Sequence, residues 1–156
     1  MKPKSNFDLQ KSHFLPVHHR HQTALDWIVR WLGGRILGYR EDALKILKCM
    51  DFYISSSLSE GLPISMLEAF ASRIPTIATE ITGNKDILPN SVFGVLTEAA
   101  SPKSIAKGIV EMTQLTRKER GILTRNALNR IKTHFTIEQM ANETTLVYNS
   151  VLGKNI

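Results

Sequence analysis

The sequence is poor in cysteine, in long apolar runs and in aromatic residues, and each shortage narrows what it can be. A single cysteine, Cys49, among 156 residues excludes an internal disulfide and a multi-cysteine zinc site, and it suits a reducing cytoplasm. No apolar run reaches the roughly 18–20 residues needed to span a bilayer, so an integral membrane protein is not expected. The opening MKPKSNFDLQKSH has no apolar core ahead of a small-residue cleavage site, so no signal peptide is expected either. Aromatic residues are 7% of the chain, and no basic face with interleaved aromatics stands out, which argues against nucleic acid as a partner. What remains is 42% hydrophobic and 22% charged, the balance of a soluble globular domain and not of a disordered chain.

The net charge of +6 is unevenly placed. Residues 1–35 carry six Lys or Arg against two Asp, and residues 36–156 carry fourteen against twelve acids. The excess therefore sits on a short N-terminal segment, which we separate as 1–35 from a main domain over 36–156. Such a segment can be drawn weakly to anionic lipid headgroups, a peripheral membrane contact. Within it, Gln22 to Leu32 has the spacing of one amphipathic helix, with Leu25, Ile28, Val29 and Leu32 on one side and Trp27 and Trp31 beside them. Core packing is the plain reading of that helix and an interfacial membrane position the sharper one. His18, His19 and His21 do not share one helical face and have no Cys or Glu to complete a site, so no metal is expected.

Beyond residue 35 short apolar runs alternate with amphipathic stretches, the pattern of strand-helix-strand units on a parallel sheet. Arg35 to Leu37 is a brief apolar run. Asp42 to Met50 has helical spacing, with Cys49 on its apolar side as a small buried hydrophobe. Residues 51–56 read as a buried strand entering a serine-rich loop, and Pro63 opens a helix to about Ser72 with proline at its first position. Residues 75–79 form the next strand, 84–88 a helical turn and 92–96 an extended piece. Ser101-Pro102 starts a helix to about Leu115. Thr116 with Glu119, and Thr136 with Gln139, fit capping boxes that start helices ending near Phe135 and Leu152. The fold class is thus α/β, a partial Rossmann-like parallel sheet with flanking helices and a helical C-terminal tail.

The stretch Ser55-Ser-Ser-Leu-Ser-Glu60-Gly-Leu-Pro-Ile-Ser-Met-Leu-Glu68 is the richest in chemistry. A strand ends in small polar residues and a helix follows at once, which is where parallel sheets bind ligands. The unpaired N–H groups of Ile64 and Ser65 and the positive end of the helix dipole make a phosphate seat. Glu60 at its rim and Glu68 deeper in the helix suit hydroxyl groups, so the arrangement fits a diphosphate flanked by sugars. Ser55, Ser56, Ser57 and Ser59 lack the Gly-x-Ser-x-Gly elbow of a hydrolase nucleophile.

With these residues in view, the chain from about Gly38 to Leu152 resembles the C-terminal half of a group-one (family four) retaining glycosyltransferase of the GT-B fold. The matching pieces are Gly38-Tyr-Arg-Glu-Asp42, Asp51-Phe-Tyr-Ile-Ser-Ser, Glu60-Gly-Leu-Pro with Glu68-Ala-Phe-Ala, Pro75-Thr-Ile-Ala-Thr79, Thr82-Gly-Asn-Lys-Asp86-Ile, Gly94-Val-Leu, and Phe135-Thr-Ile-Glu138 with Tyr148. Together they span about three-quarters of the sequence. The resemblance implies that Glu68 binds the ribose of a nucleotide and that Glu60, with the backbone of Gly61 and Leu62, holds the donor sugar. It implies that Ile64 and Ser65 face the diphosphate, and that Arg40, Asp42 and Lys45 border the base. The implied reaction moves a hexose from a nucleotide-diphosphate sugar to a glycan or lipid-linked acceptor with retention, at the inner face of the membrane. No cofactor is implied beyond the donor substrate, and no side chain stands out as nucleophile or base.

The departures are as specific. The family's N-terminal acceptor domain has no counterpart, nor has its Gly-Arg and Lys pair at the diphosphate, since Gly34-Arg35 lies too close to Gly38. The first third is therefore expected to be truncated or altered sequence joined to a family C-terminus. The family's glycine ahead of Pro75 is replaced by Arg73-Ile74. Two other readings follow: a non-catalytic remnant, and an α/β interaction or regulatory module that docks a protein partner through the helical tail and the Trp helix, with self-association through an exposed sheet edge as a further option.

Overall fold

The computed structural model describes residues 33–153. The Gln22–Leu32 helix and the three N-terminal histidines expected from the sequence lie outside them. A compact unit begins at Asp42 and holds every helix and strand among the described residues: α1 Ala43–Leu47, β1 Tyr53–Ser55, α2 Ile64–Ala71, β2 Thr76–Thr79, α3 Thr82–Ile87, β3 Val95–Thr97, α4 Pro102–Gln114, α5 Arg117–His134 and α6 Ile137–Val151.

The three strands form one parallel sheet in the order β1-β2-β3, with Ile54 opposite Ile77 and Ile77 opposite Val95. All four residues of β2 are buried, as a central strand covered on both faces requires. Alternation along the strands divides the core in two. On one face Ala78 packs with Met66 and Phe70 of α2, Ile87, Leu88 and Ala127 of α5. On the other, Ile77 and Val95 meet Met112 of α4. Gly108 of α4 lies against Ile77, Val95 and Thr97 of the sheet, so its missing side chain lets helix and sheet approach.

Local signals explain most boundaries. Ser101 caps α4 by accepting from the Ser104 N–H at 3.2 Å, with Pro102 in the first turn. Thr116 and Glu119 form the reciprocal capping box at the start of α5. At α6 only half of the expected box forms: Thr136 accepts from the Gln139 N–H, while the Gln139 side chain donates to Glu143. Helix α2 ends with Arg73 N–H donating to Phe70 O and Ile74 N–H to Ala69 O, a Schellman closure in which Arg73 takes φ 58°. That is the position where the family resemblance expects glycine, and left-handed φ is why. Near the far end of α5, Arg130 donates to the carbonyls of Ile87 and Asp86 at 2.8 and 2.7 Å. Its guanidinium stands over the rings of Phe93 and Phe135, so it satisfies carbonyls that α3 leaves open at its end.

Four expectations need correction. Residues 35–37 form no strand, and Ile36 and Leu37 are exposed. The helix expected over 42–50 is a single five-residue turn that buries none of its residues, so its apolar positions have no core to face. Cys49 lies beyond that turn and is exposed, with its thiol near the Lys45 carbonyl. Pro63 is the N-cap of α2 and not its first helical residue; its carbonyl accepts from the N–H groups of Met66 and Leu67.

Candidate functional site

The carboxyl end of β1 leads into the loop and helix that carry Glu60 to Glu68. The loop after β1 turns at Glu60 and Gly61, both exposed, and runs through Leu62 and Pro63 into α2. Gly83, at the start of α3, sits so close to the carbonyls of Glu60 and Gly61 that any Cβ there would collide with them. The absence of a side chain at Gly83 thus sets the path of the loop. Glu60 accepts a 2.7 Å hydrogen bond from the Ser57 hydroxyl through Oε1.

At the head of α2 the N–H groups of Ile64 and Ser65 find no acceptor among the described residues, and no side chain caps the helix. Both residues are exposed. Two free donors and the positive dipole end face outward together, an arrangement that attracts an anion. The Ser65 hydroxyl is held by the Tyr53 phenol at 2.7 Å, which ties the first turn of α2 to β1. Glu68, one turn further along, is half-buried, and its carboxylate has no hydrogen-bond partner among the described residues. An acceptor without an internal donor is available to hydroxyl groups.

The structure therefore brings Glu60, Gly61, Leu62, Ile64, Ser65 and Glu68 onto one loop and the helix that follows it. Asp42 is the N-cap residue of α1, where its carbonyl accepts from the N–H groups of Lys45 and Ile46. Lys45 is exposed on that turn. Arg40 precedes the compact unit. None of the three shares an element with the glutamates.

Sequence reasoning passed over the residues that hold the loop. The Thr79 hydroxyl, at the end of β2, donates to Ser57 O at 2.6 Å. Asn84 Nδ2 donates to Thr79 O at 2.8 Å and to Thr79 Oγ1 at 3.1 Å. The partners are 22 and 5 positions apart, and no local pattern announces them. An open apolar groove of about 610 Å³ lies between the β1 end and α4, lined by Ile54, Leu58, Ile105 and Ile109 among others. None of its lining residues is charged. Among the described residues no group of three or more His, Cys, Asp or Glu could hold a metal ion.

Comparisons with known proteins give the family and the fold. The family model described as glycosyl transferases group 1 matches residues 18–114. A galactosyltransferase of Escherichia coli that uses UDP-Gal and GlcNAc-diphosphoundecaprenol is 31% identical over 132 residues, which is 85% of this chain and 33% of that protein. A lipopolysaccharide core mannosyltransferase of Rhizobium leguminosarum is 26% identical over 135 residues, 83% of this chain and 37% of its own length. Among solved structures, a Rickettsia africae glycosyltransferase superimposes with a TM-score of 0.75 at 20% identity, over 84% of this chain and 36% of that one. Anabaena HepE, solved with UDP and glucose, gives 0.72 at 19% identity, over 81% and 35%. The chain thus spans about a third of the length of the relatives it matches.

Proposed function

Because the chain belongs to the group 1 glycosyl transferases, we propose that it is the donor-binding part of a glycosyltransferase that moves a hexose from a nucleotide-diphosphate sugar. The observation that carries this reading is the head of α2. Two unpaired N–H groups, at Ile64 and Ser65, stand between the Glu60 loop and the half-buried Glu68. The diphosphate sits on the helix N-terminus, Glu68 takes the ribose hydroxyls, and Glu60 with the Gly61 and Leu62 backbone takes the hydroxyls of the sugar. Asp42 and Lys45 border the base.

In this chemistry the nucleoside diphosphate leaves, and the main electrostatic task is to stabilise its growing negative charge. The outward-facing amides of α2 supply part of that, on the order of 0.3–2 kcal/mol. The anomeric configuration is retained, and the acceptor is a glycan or a lipid-linked saccharide at the inner face of the membrane. The names of the Escherichia coli and Rhizobium relatives support that acceptor class. No helix among the described residues is long and apolar enough to cross a membrane. By itself the chain binds donor without sustained turnover.

Calorimetric titration with UDP-galactose, UDP-glucose and GDP-mannose tests the reading. One of them binds, and Glu68→Ala weakens that binding by about 1–3 kcal/mol, the range for a charge-assisted hydrogen bond. Equal affinity in wild type and variant would remove Glu68 from the site.

A further inference from the structure

Three hydrogen bonds lead from the buried interior to the Glu60 carboxylate, and they use residues with no role in the reading above. Asn84 is fully buried. Its Nδ2 donates to both the carbonyl and the hydroxyl oxygen of Thr79. A hydroxyl has one proton. With Asn84 donating to it, the Thr79 hydroxyl is committed as donor to Ser57 O, at 2.6 Å. Ser57 then donates its own hydroxyl to Glu60 Oε1, at 2.7 Å. The Gly83 backbone, next to Asn84, abuts the carbonyls of Glu60 and Gly61 from behind.

The orientation of the Asn84 amide is not free. Turned over, its oxygen would meet the Thr79 carbonyl, and that acceptor pair repels. The amide as it stands leaves Asn84 Oδ1 buried with no partner, alone in this among the buried side-chain atoms of the described residues. Buried polar groups without partners are rare because they are costly. The two donor bonds to Thr79 offset that cost.

We infer that Thr79 and Asn84 are positioning residues for Glu60: they fix the Ser57 backbone, and Ser57 fixes the carboxylate. Glu60 itself is exposed. An exposed side chain on a loop samples several rotamers, and each must be given up when the carboxylate takes a sugar hydroxyl. Holding the carboxylate in place beforehand reduces that loss. The inference rests on the reading of Glu60 as the residue that holds the donor sugar.

The test separates sugar binding from nucleotide binding. Affinities are measured for the best binder among UDP-galactose, UDP-glucose and GDP-mannose and for its matching nucleoside diphosphate. Thr79→Val, which keeps the shape and removes the hydroxyl, should weaken the nucleotide sugar about three- to tenfold, as loss of a single hydrogen bond does, and leave the diphosphate unchanged. Thr79→Ser should restore wild-type affinity. Ser57→Ala should match Thr79→Val, and the double variant should lose no more than either alone, because both break one chain of bonds. Hydrogen exchange should quicken at residues 57–61 in Thr79→Val and not in β2. If Thr79→Val does not fold, Ser57→Ala on the surface loop carries the same comparison.

Thr79→Val binding the nucleotide sugar as wild type does, while Glu60→Ala binds it more weakly, would overturn the positioning role and leave the reading of Glu60 standing. Equal loss for sugar nucleotide and diphosphate in Thr79→Val would reduce Thr79 to a structural part and overturn it too. Unchanged affinity in Glu60→Ala would overturn the reading of Glu60 itself, and the positioning role with it.

Discussion

Single residues decide the local geometry of this molecule, and Arg73 shows how. It closes α2 with φ 58°, in a region that costs an L-residue with a side chain about 1–2 kcal/mol. Glycine carries no such cost but loses more freedom on folding, about 0.5–1 kcal/mol. Arg73→Gly is therefore expected to stabilise the fold by about 0.5–1 kcal/mol, read as a shift in denaturation midpoint at unchanged slope. No change, or a loss, would mean that the Arg73 side chain makes a contribution the backbone argument omits. The departure from glycine is legible in the sequence; its consequence is not, because φ depends on how the helix meets β2. Ser57, Thr79 and Asn84 stand at the opposite extreme. The bond from Thr79 to Ser57 crosses 22 residues, and a Thr at a strand end has the same letters whether or not a carbonyl waits for it.

Whole elements are legible where the signal is local. Ser101 with Pro102, and Thr116 with Glu119, mark the starts of α4 and α5 at the positions that the side-chain-to-backbone bonds occupy. The apolar run of β2 marks its burial. Periodicity misled over residues 42–50, because an apolar stripe says which side would be buried and not whether anything lies against it; α1 buries nothing. The α5 cap also sets a pH dependence. Hydrogen bonds from the Thr116 hydroxyl and N–H hold the Glu119 carboxyl below its ordinary 4.5. At Glu138 its own N–H and then the Thr136 hydroxyl do the same. A depressed value means that the folded state binds the proton less readily than the unfolded one. The contribution is complete above pH 4.5 and is lost as pH falls through the folded values. Melting temperature should therefore drop on acidification below that point, and less steeply in Glu119→Gln than in wild type. Parallel curves for the two proteins would show that the cap has no part in acid stability.

At the scale of the whole molecule, the chain has about a third of the length of its relatives, and Glu60, Ile64 and Ser65 of the proposed donor site are exposed. Holding donor and acceptor together accounts for roughly 7–11 kcal/mol of a bimolecular barrier at best, far more than the helix dipole at Ile64 and Ser65 supplies. Purified chain with labelled nucleotide sugar and a range of acceptors is expected to give no sustained product. Multiple turnovers at about one per second, an ordinary enzymatic rate, would show that the site needs no second half. The bridge from Arg130 to the end of α3 has a consequence in time. Its partners Ile87 and Arg130 are 43 positions apart, and a ribosome adds about 5–20 residues each second. For roughly 2–9 s of synthesis, Met66, Phe70, Ile87 and Leu88, all later sealed from solvent, have emerged in sequence before the helix that covers them exists. Transiently exposed apolar surface of this kind favours aggregation and capture by chaperones that bind apolar segments.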